Sequence, residues 1–91
     1  MRLNQETSEQ DNMRRVTDLA IATTIALSHP IEAIIRDNPR KASFVFRGGA
    51  EIDDIIKRYW KGEIRVEPQN YFNELRSIKA RLYSEYGRPG Q

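Results

Sequence analysis

The stretch RKASFVFRGGAEIDDIIKRYWKGEI, residues 40–64, sets two hydrophobic periods side by side. From Lys41 to Arg47 the residues alternate: Ser43, Val45 and Arg47 fall on one side, Ala42, Phe44 and Phe46 on the other. A period of two is that of a strand with one buried face, so both Phe rings are expected to point inward. Gly48-Gly49 breaks the strand. Ile52, Ile55, Ile56, Tyr59 and Trp60 then recur at i, i+3, i+4, i+7 and i+8, which predicts an amphipathic helix over Ala50–Lys61. Glu51, Asp53 and Asp54 stand near its start and Lys57, Arg58 and Lys61 near its end, an order that complements the helix dipole. Gly62 suits the left-handed residue that closes a helix.

Working outward, Ile31 to Arg36 reads as a second strand, joined to the first by a turn at Asp37-Asn38-Pro39. Upstream, a helix is expected from about Arg14 to Ser28, stopped by Pro30. Val16, Leu19, Ala20, Thr23 and Leu27 share one of its faces, and Ile21 and Ile25 partly cover another. A helix apolar around much of its circumference is sandwiched between partners. Downstream, Glu63–Glu67 is an extended link and Pro68 fits the first position of a last helix, with Tyr71, Phe72, Leu75, Ile78 and Leu82 as its apolar stripe and Gly87 as its end. The expected architecture is α+β, in the order α-β-β-α-α: a β-hairpin packed against helices in a single domain over residues 13–86. Residues 1–12 read as a flexible polar tail and 87–91 as a loose C-terminal tail. Phe44, Phe46, Ile52, Ile56, Leu75 and Ile78 are expected to form one core. Tyr59, Tyr71 and Phe72 lie on apolar stripes and are read as core as well.

Composition narrows the function. With 91 residues, 38% of them hydrophobic, the chain supports one thin core, and domains this small often gain burial by homo-oligomerising. It has no cysteine, so neither disulfides nor thiolate metal sites are open to it. The polar N-terminus lacks the apolar region of a signal peptide. The longest apolar run, residues 19–27, is too short to span a bilayer. A soluble, cytoplasmic protein with no membrane partner is expected.

Catalytic chemistry finds little footing. His29, the one histidine, precedes Pro30 at a helix end and reads as a side chain meeting the last carbonyls. No Ser/His/acid arrangement can be assembled from the sequence, and no P-loop is present. Gly48-Gly49 precedes a helix and could offer N–H groups to a phosphate, but Glu51, Asp53 and Asp54 would repel it, which favours a plain turn. The same acidic residues could suggest a divalent metal, yet they are what a helix N-terminus wants electrostatically. No enzyme activity, cofactor or metal is expected.

The net charge of +2 hides an uneven distribution: residues 36–47 carry +3 and 57–91 carry +4, against −3 over 48–56. Arg40, Lys41 and Arg47 of the hairpin and Lys57, Arg58 and Lys61 of the following helix form a basic rim. Arg76 and Lys79 are helical neighbours of Tyr83. Cations that follow phosphates beside rings that stack on bases are the means by which single-stranded nucleic acid is held. The alternatives are an amphipathic tyrosine covered by Arg and Lys stems, or anchors for a protein interface, where Trp, Tyr and Arg are enriched.

FVF at 44–46, IKRYWKGEIRVEP at 56–68 and YFNELRSIKARLY at 71–83, with TDLAIATTIAL at 17–27, resemble a small family of uncharacterised proteins, a domain of unknown function found in bacterial, archaeal and virus-borne genes. The resemblance spans about residues 16–84. It implies a single domain with this element order, and it implies no catalytic residue. Small genes on mobile elements often handle nucleic acid or bind a host protein. The function expected is a non-enzymatic, homo-oligomeric binding protein that contacts nucleic acid through Arg40, Lys41, Arg47, Lys57, Arg58, Lys61, Arg76, Lys79 and Tyr83. The alternative is a protein-interaction module, a virus- or plasmid-borne modulator of a host factor.

Overall fold

A computed structural model describes residues 12–38 and 40–86. The tails expected over 1–12 and 87–91 therefore lie outside the described residues, Asn12 excepted, as does Pro39 of the expected turn. Three antiparallel strands, β1 (Met13–Val16), β2 (Ile31–Asn38) and β3 (Lys41–Arg47), form one sheet in the order β1-β3-β2. Paired residues share a face. Phe46 lies between Arg14 and Ile31, and Phe44 between Val16 and Ile34. Ile31 and Ile34 have opposite parity, yet both reach the face of the Phe rings. An irregularity between Ile31 and Ala33, at Glu32, makes this possible, because one extra residue flips the alternation. Both Phe rings are buried, as the alternation predicts. Ser43, on the opposite face, is buried too, which alternation alone does not predict.

Helices α1 (Leu19–Ala26), α2 (Gly49–Trp60) and α3 (Pro68–Tyr86) cover the Phe face. The core joins Val16, Ile21, Ala22, Ile25, Phe44, Phe46, Ile52 and Ile78. Ile56 packs against it half-buried, and Leu75 is half-buried on α3. The helix α1 is the sandwiched one: residues 21–25 are all buried, and it touches α2, α3 and β1. Its buried hydroxyls are satisfied within the helix, Thr23 donating to the Leu19 carbonyl at 2.8 Å and Thr24 to that of Ala20 at 2.9 Å.

The α+β class and the helix-packed hairpin are as expected, but the chain begins differently. Residues 13–16 form a strand on the edge of the sheet, so the order is β-α-β-β-α-α. Asp18 starts α1, its carboxylate accepting the Ile21 N–H at 3.0 Å. The other ends follow their local signals. Gly62, at φ +75°, closes α2: its N–H bonds to the Tyr59 carbonyl and that of Glu63 to Arg58, a Schellman motif. The Glu67 carboxylate accepts the Asn70 N–H at 2.7 Å and caps α3 ahead of Pro68. Among the described residues, no helix is long and apolar enough to cross a membrane.

Candidate functional site

The nine residues expected to bind nucleic acid lie on three parts of the fold: the β2–β3 hairpin, the end of α2 and the helix α3. Arg40 and Lys41 are exposed at the hairpin end of β3, whereas Arg47 is exposed at its other end. Six residues of strand separate Lys41 from Arg47 by roughly 20 Å. Arg47 also stands 3.8 Å from Glu32, a loose surface pair that offsets part of its charge. Lys57 and Arg58 are exposed in the last turn of α2, and Lys61 is exposed just past its end. Arg58 lies 3.6 Å from Asp54, one turn earlier.

The third group is the coherent one. Arg76, Lys79 and Tyr83 lie on a single stripe of α3, and Phe72 begins it. The four sit at i, i+4, i+7 and i+11, so they project from one side of the helix. Phe72 is 55% exposed and Tyr83 65% exposed. The Arg76 guanidinium lies over the Phe72 ring, 5.5 Å from its centre. The expectation that Phe72 belongs to the core is thus overturned. The buried stripe of α3 is Tyr71, Leu75, Ile78 and Leu82, and Phe72 is about 100° around from it. The signal was present in the sequence: Phe72 shares the spacing of Arg76, Lys79 and Tyr83. A large ring is nevertheless assigned to the core by default.

The start of α2 is occupied by the protein itself. Gly48, at φ +141°, and Gly49 both donate their N–H groups to the Asn12 carbonyl, at 2.7 and 3.1 Å. The two donors that a phosphate would need are already used. Asp53 does more than complement the dipole. Arg14 of β1 grips it with two bonds, Nε to Oδ1 at 2.7 Å and Nη2 to Oδ2 at 2.9 Å, and so ties the edge strand to α2. This hydrogen bonding holds the Asp53 carboxyl below its ordinary pKa, against a smaller opposing effect of desolvation and with help from the Arg14 charge.

His29 also has a partner that the sequence did not suggest. Its Nε2 lies 2.9 Å from Glu51 Oε1, and its Nδ1 lies 2.9 Å from Ser28 Oγ. The His29 ring also backs onto Gly48, where a Cβ would stand 3.3 Å from His29 Cδ2 and 3.2 Å from Ile52 Cγ1. Ser28, His29 and Glu51 thus assemble, contrary to expectation. Ser28 sits where the carbonyls of α1 end, with Ile25 O at 3.4 Å, so an oxyanion formed there would face negative dipoles. The three residues act as a tie between the end of α1 and the start of α2. Among the described residues, no group of His, Cys, Asp and Glu is placed to hold a metal ion.

Tyr59 and Trp60 meet edge to face at 5.3 Å, with Tyr59 half-buried and Trp60 69% exposed. Neither the curated proteins nor the solved structures hold a match to the chain. One protein family does match, over residues 12–84, from the turn before β1 nearly to the end of α3, and the chain belongs to it: Domain of unknown function (DUF5659).

Proposed function

We propose that the protein is a small, non-enzymatic, cytoplasmic nucleic-acid-binding protein that holds single strands on the α3 stripe of Phe72, Arg76, Lys79 and Tyr83. The supporting observation is Phe72, exposed beneath the Arg76 guanidinium and in line with Lys79 and Tyr83. Two rings about 16 Å apart along the helix frame two cations. Unpaired bases stack on such rings while the cations follow the phosphates. Paired bases keep their faces hidden, so duplexes gain only the cations. Lys57 and Lys61 at the end of α2 and the hairpin cations contribute general attraction. Fluorescence anisotropy with labelled single- and double-stranded oligonucleotides tests this. Single strands should bind more tightly, and their affinity should fall steeply with salt. No binding by the wild-type chain at low salt would overturn the proposal.

In this reading the protein assembles as a homo-oligomer. Support comes from the sheet face turned away from the helices, where register places Ala33, Ile35 and Val45, and from β2, an edge strand. Light scattering that returned a 10.6 kDa monomer at every concentration would remove this part. Trp60 favours a second reading, a protein-interaction module acting on a host factor: an indole this exposed is a suitable interface anchor. Binding through it would persist in high salt.

A further inference from the structure

A groove of about 350 Å3 runs between the end of α1, α2 and the link to α3. Its apolar wall is made by Leu27, Ile55, Ile64 and Val66, and Arg58 and Arg65 border it. None of its lining side chains is acidic or aromatic. We propose that this groove docks an extended acidic peptide segment of a partner protein, with an apolar side chain against Leu27, Ile55, Ile64 and Val66 and flanking carboxylates on Arg58 and Arg65.

The charge argument is direct. Two guanidiniums with no carboxylate in the lining attract an anion, and the fork geometry of arginine suits a carboxylate. Arg65 is held against its own link, its Nη1 donating to the Gly62 and Ile64 carbonyls at 3.3 Å each. Those two long bonds use one nitrogen and leave the donors of Nε and Nη2 for a ligand. The Arg58–Asp54 pair at 3.6 Å is exposed on both sides and exchanges readily for another carboxylate. A nucleic-acid occupant is disfavoured, since bases need rings to stack on and the wall is aliphatic. A small acid is disfavoured as well. Val66 is 40% exposed, so the groove is open to water and leaves a small ligand half-wetted, whereas a peptide continues past its ends. None of Phe72, Arg76, Lys79 and Tyr83 lines the groove, so this site stands independently of the nucleic-acid reading.

The test is anisotropy of the full chain with a fluorescein-labelled hexapeptide alternating leucine and glutamate, beside its counterpart with lysine for glutamate. The glutamate peptide should bind and the lysine peptide should bind at least about tenfold more weakly. Arg65→Ala should lower affinity for the glutamate peptide roughly tenfold, the loss of one charge-assisted hydrogen bond. Val66→Asp should lower it at least as far, by placing a like charge in the groove, and Arg76→Ala should leave it unchanged. Melting curves should match the wild type for all three, whose side chains are exposed. Equal binding of the two peptides, or wild-type affinity in both Arg65→Ala and Val66→Asp, would overturn the proposal. So would octanoate matching the peptide in affinity, which assigns the groove to a small acid, or displacement of the peptide by an oligonucleotide.

Discussion

Tyr71, Leu75, Ile78 and Leu82 run along one side of α3 at i, i+4, i+7 and i+11. Phe72, Arg76, Lys79 and Tyr83 repeat that spacing one residue later. The first stripe is buried or half-buried and Ile78 and Leu82 meet the core, while all four residues of the second are exposed. A turn of about 100° separates a packing surface from a candidate binding surface. Spacing tells which residues share a side of a helix, and it is silent on which side the rest of the protein covers. Composition along the stripe decides that. Two long cations cannot be buried without partners, so they carry Phe72 and Tyr83 outward with them.

Ile78→Ala should have the largest effect on the packed side of α3. Its side chain is 1% exposed within the core, and removing it should cost about 2–5 kcal/mol in urea unfolding. That is a large share of the stability of a domain this size. A variant within about 0.5 kcal/mol of the wild type would mean that α3 does not hold the core.

The exposed stripe should respond the other way. Phe72→Ala and Tyr83→Ala should each weaken single-strand binding by about 1–3 kcal/mol, since a base loses its stacking partner. Neither should move the melting temperature appreciably. Equal losses on single strands and duplexes would show that the rings do not stack on bases. A drop in stability from Phe72→Ala would return that ring to the core and merge the two stripes.

Arg76→Ala and Lys79→Ala act through counterions. Each should weaken binding evenly across sequences and reduce the slope of log affinity against log salt by about one. Arg76→Ala carries an added mark, because it uncovers the Phe72 ring and changes how that ring meets a base. Anisotropy at several salt concentrations separates the two variants. An unchanged slope in both would sever the stripe from any phosphate contact.

How far the sequence reveals these differences depends on the range of the interactions. Features set by neighbours a few residues away were legible: the alternation that buries Phe44 and Phe46, the helical apolar period of α2, Gly62 at its end and Pro68 at the start of α3. Features set by distant partners were not. Val16 matches the helical period of Leu19, Ala20 and Thr23, so residues 14–16 read as the first turn of α1. Only pairing with β3, some thirty positions away, makes them a strand. Asp18 did offer a local hint as a capping residue placed just before an apolar run. The grip of Arg14 on Asp53 and the contact of His29 with Glu51 join elements whose relative placement no local pattern specifies. Among the candidate binding residues, the α3 set was legible because a helix fixes its own geometry. The separation of Lys41 and Arg47 was legible for the same reason, since the strand expected over Lys41–Arg47 already puts them at opposite ends.

The smallest expected effect concerns Tyr71, the one member of the packing stripe with an ionisable tip. Burial, above all, raises its pKa above the ordinary value of 10.0. The nearby Tyr59 and Asp18 push in the same direction, and a hydrogen bond with Thr23 works against them. The neutral form is therefore the one the fold prefers. For an acid whose folded pKa is raised, the associated stability is fully present below the unfolded value and is lost as pH rises through the folded one. Tyr71→Phe removes the ionisation and keeps the ring. Between pH 9 and 11 the wild type should thus lose more unfolding free energy than the variant, and in ultraviolet titration its tyrosines should include a component above the ordinary value that Tyr71→Phe lacks. Parallel losses in the two proteins across that range would mean that the Tyr71 hydroxyl is as well solvated as one on the exposed stripe. The boundary between the two sides of α3 would then pass through Tyr71 itself.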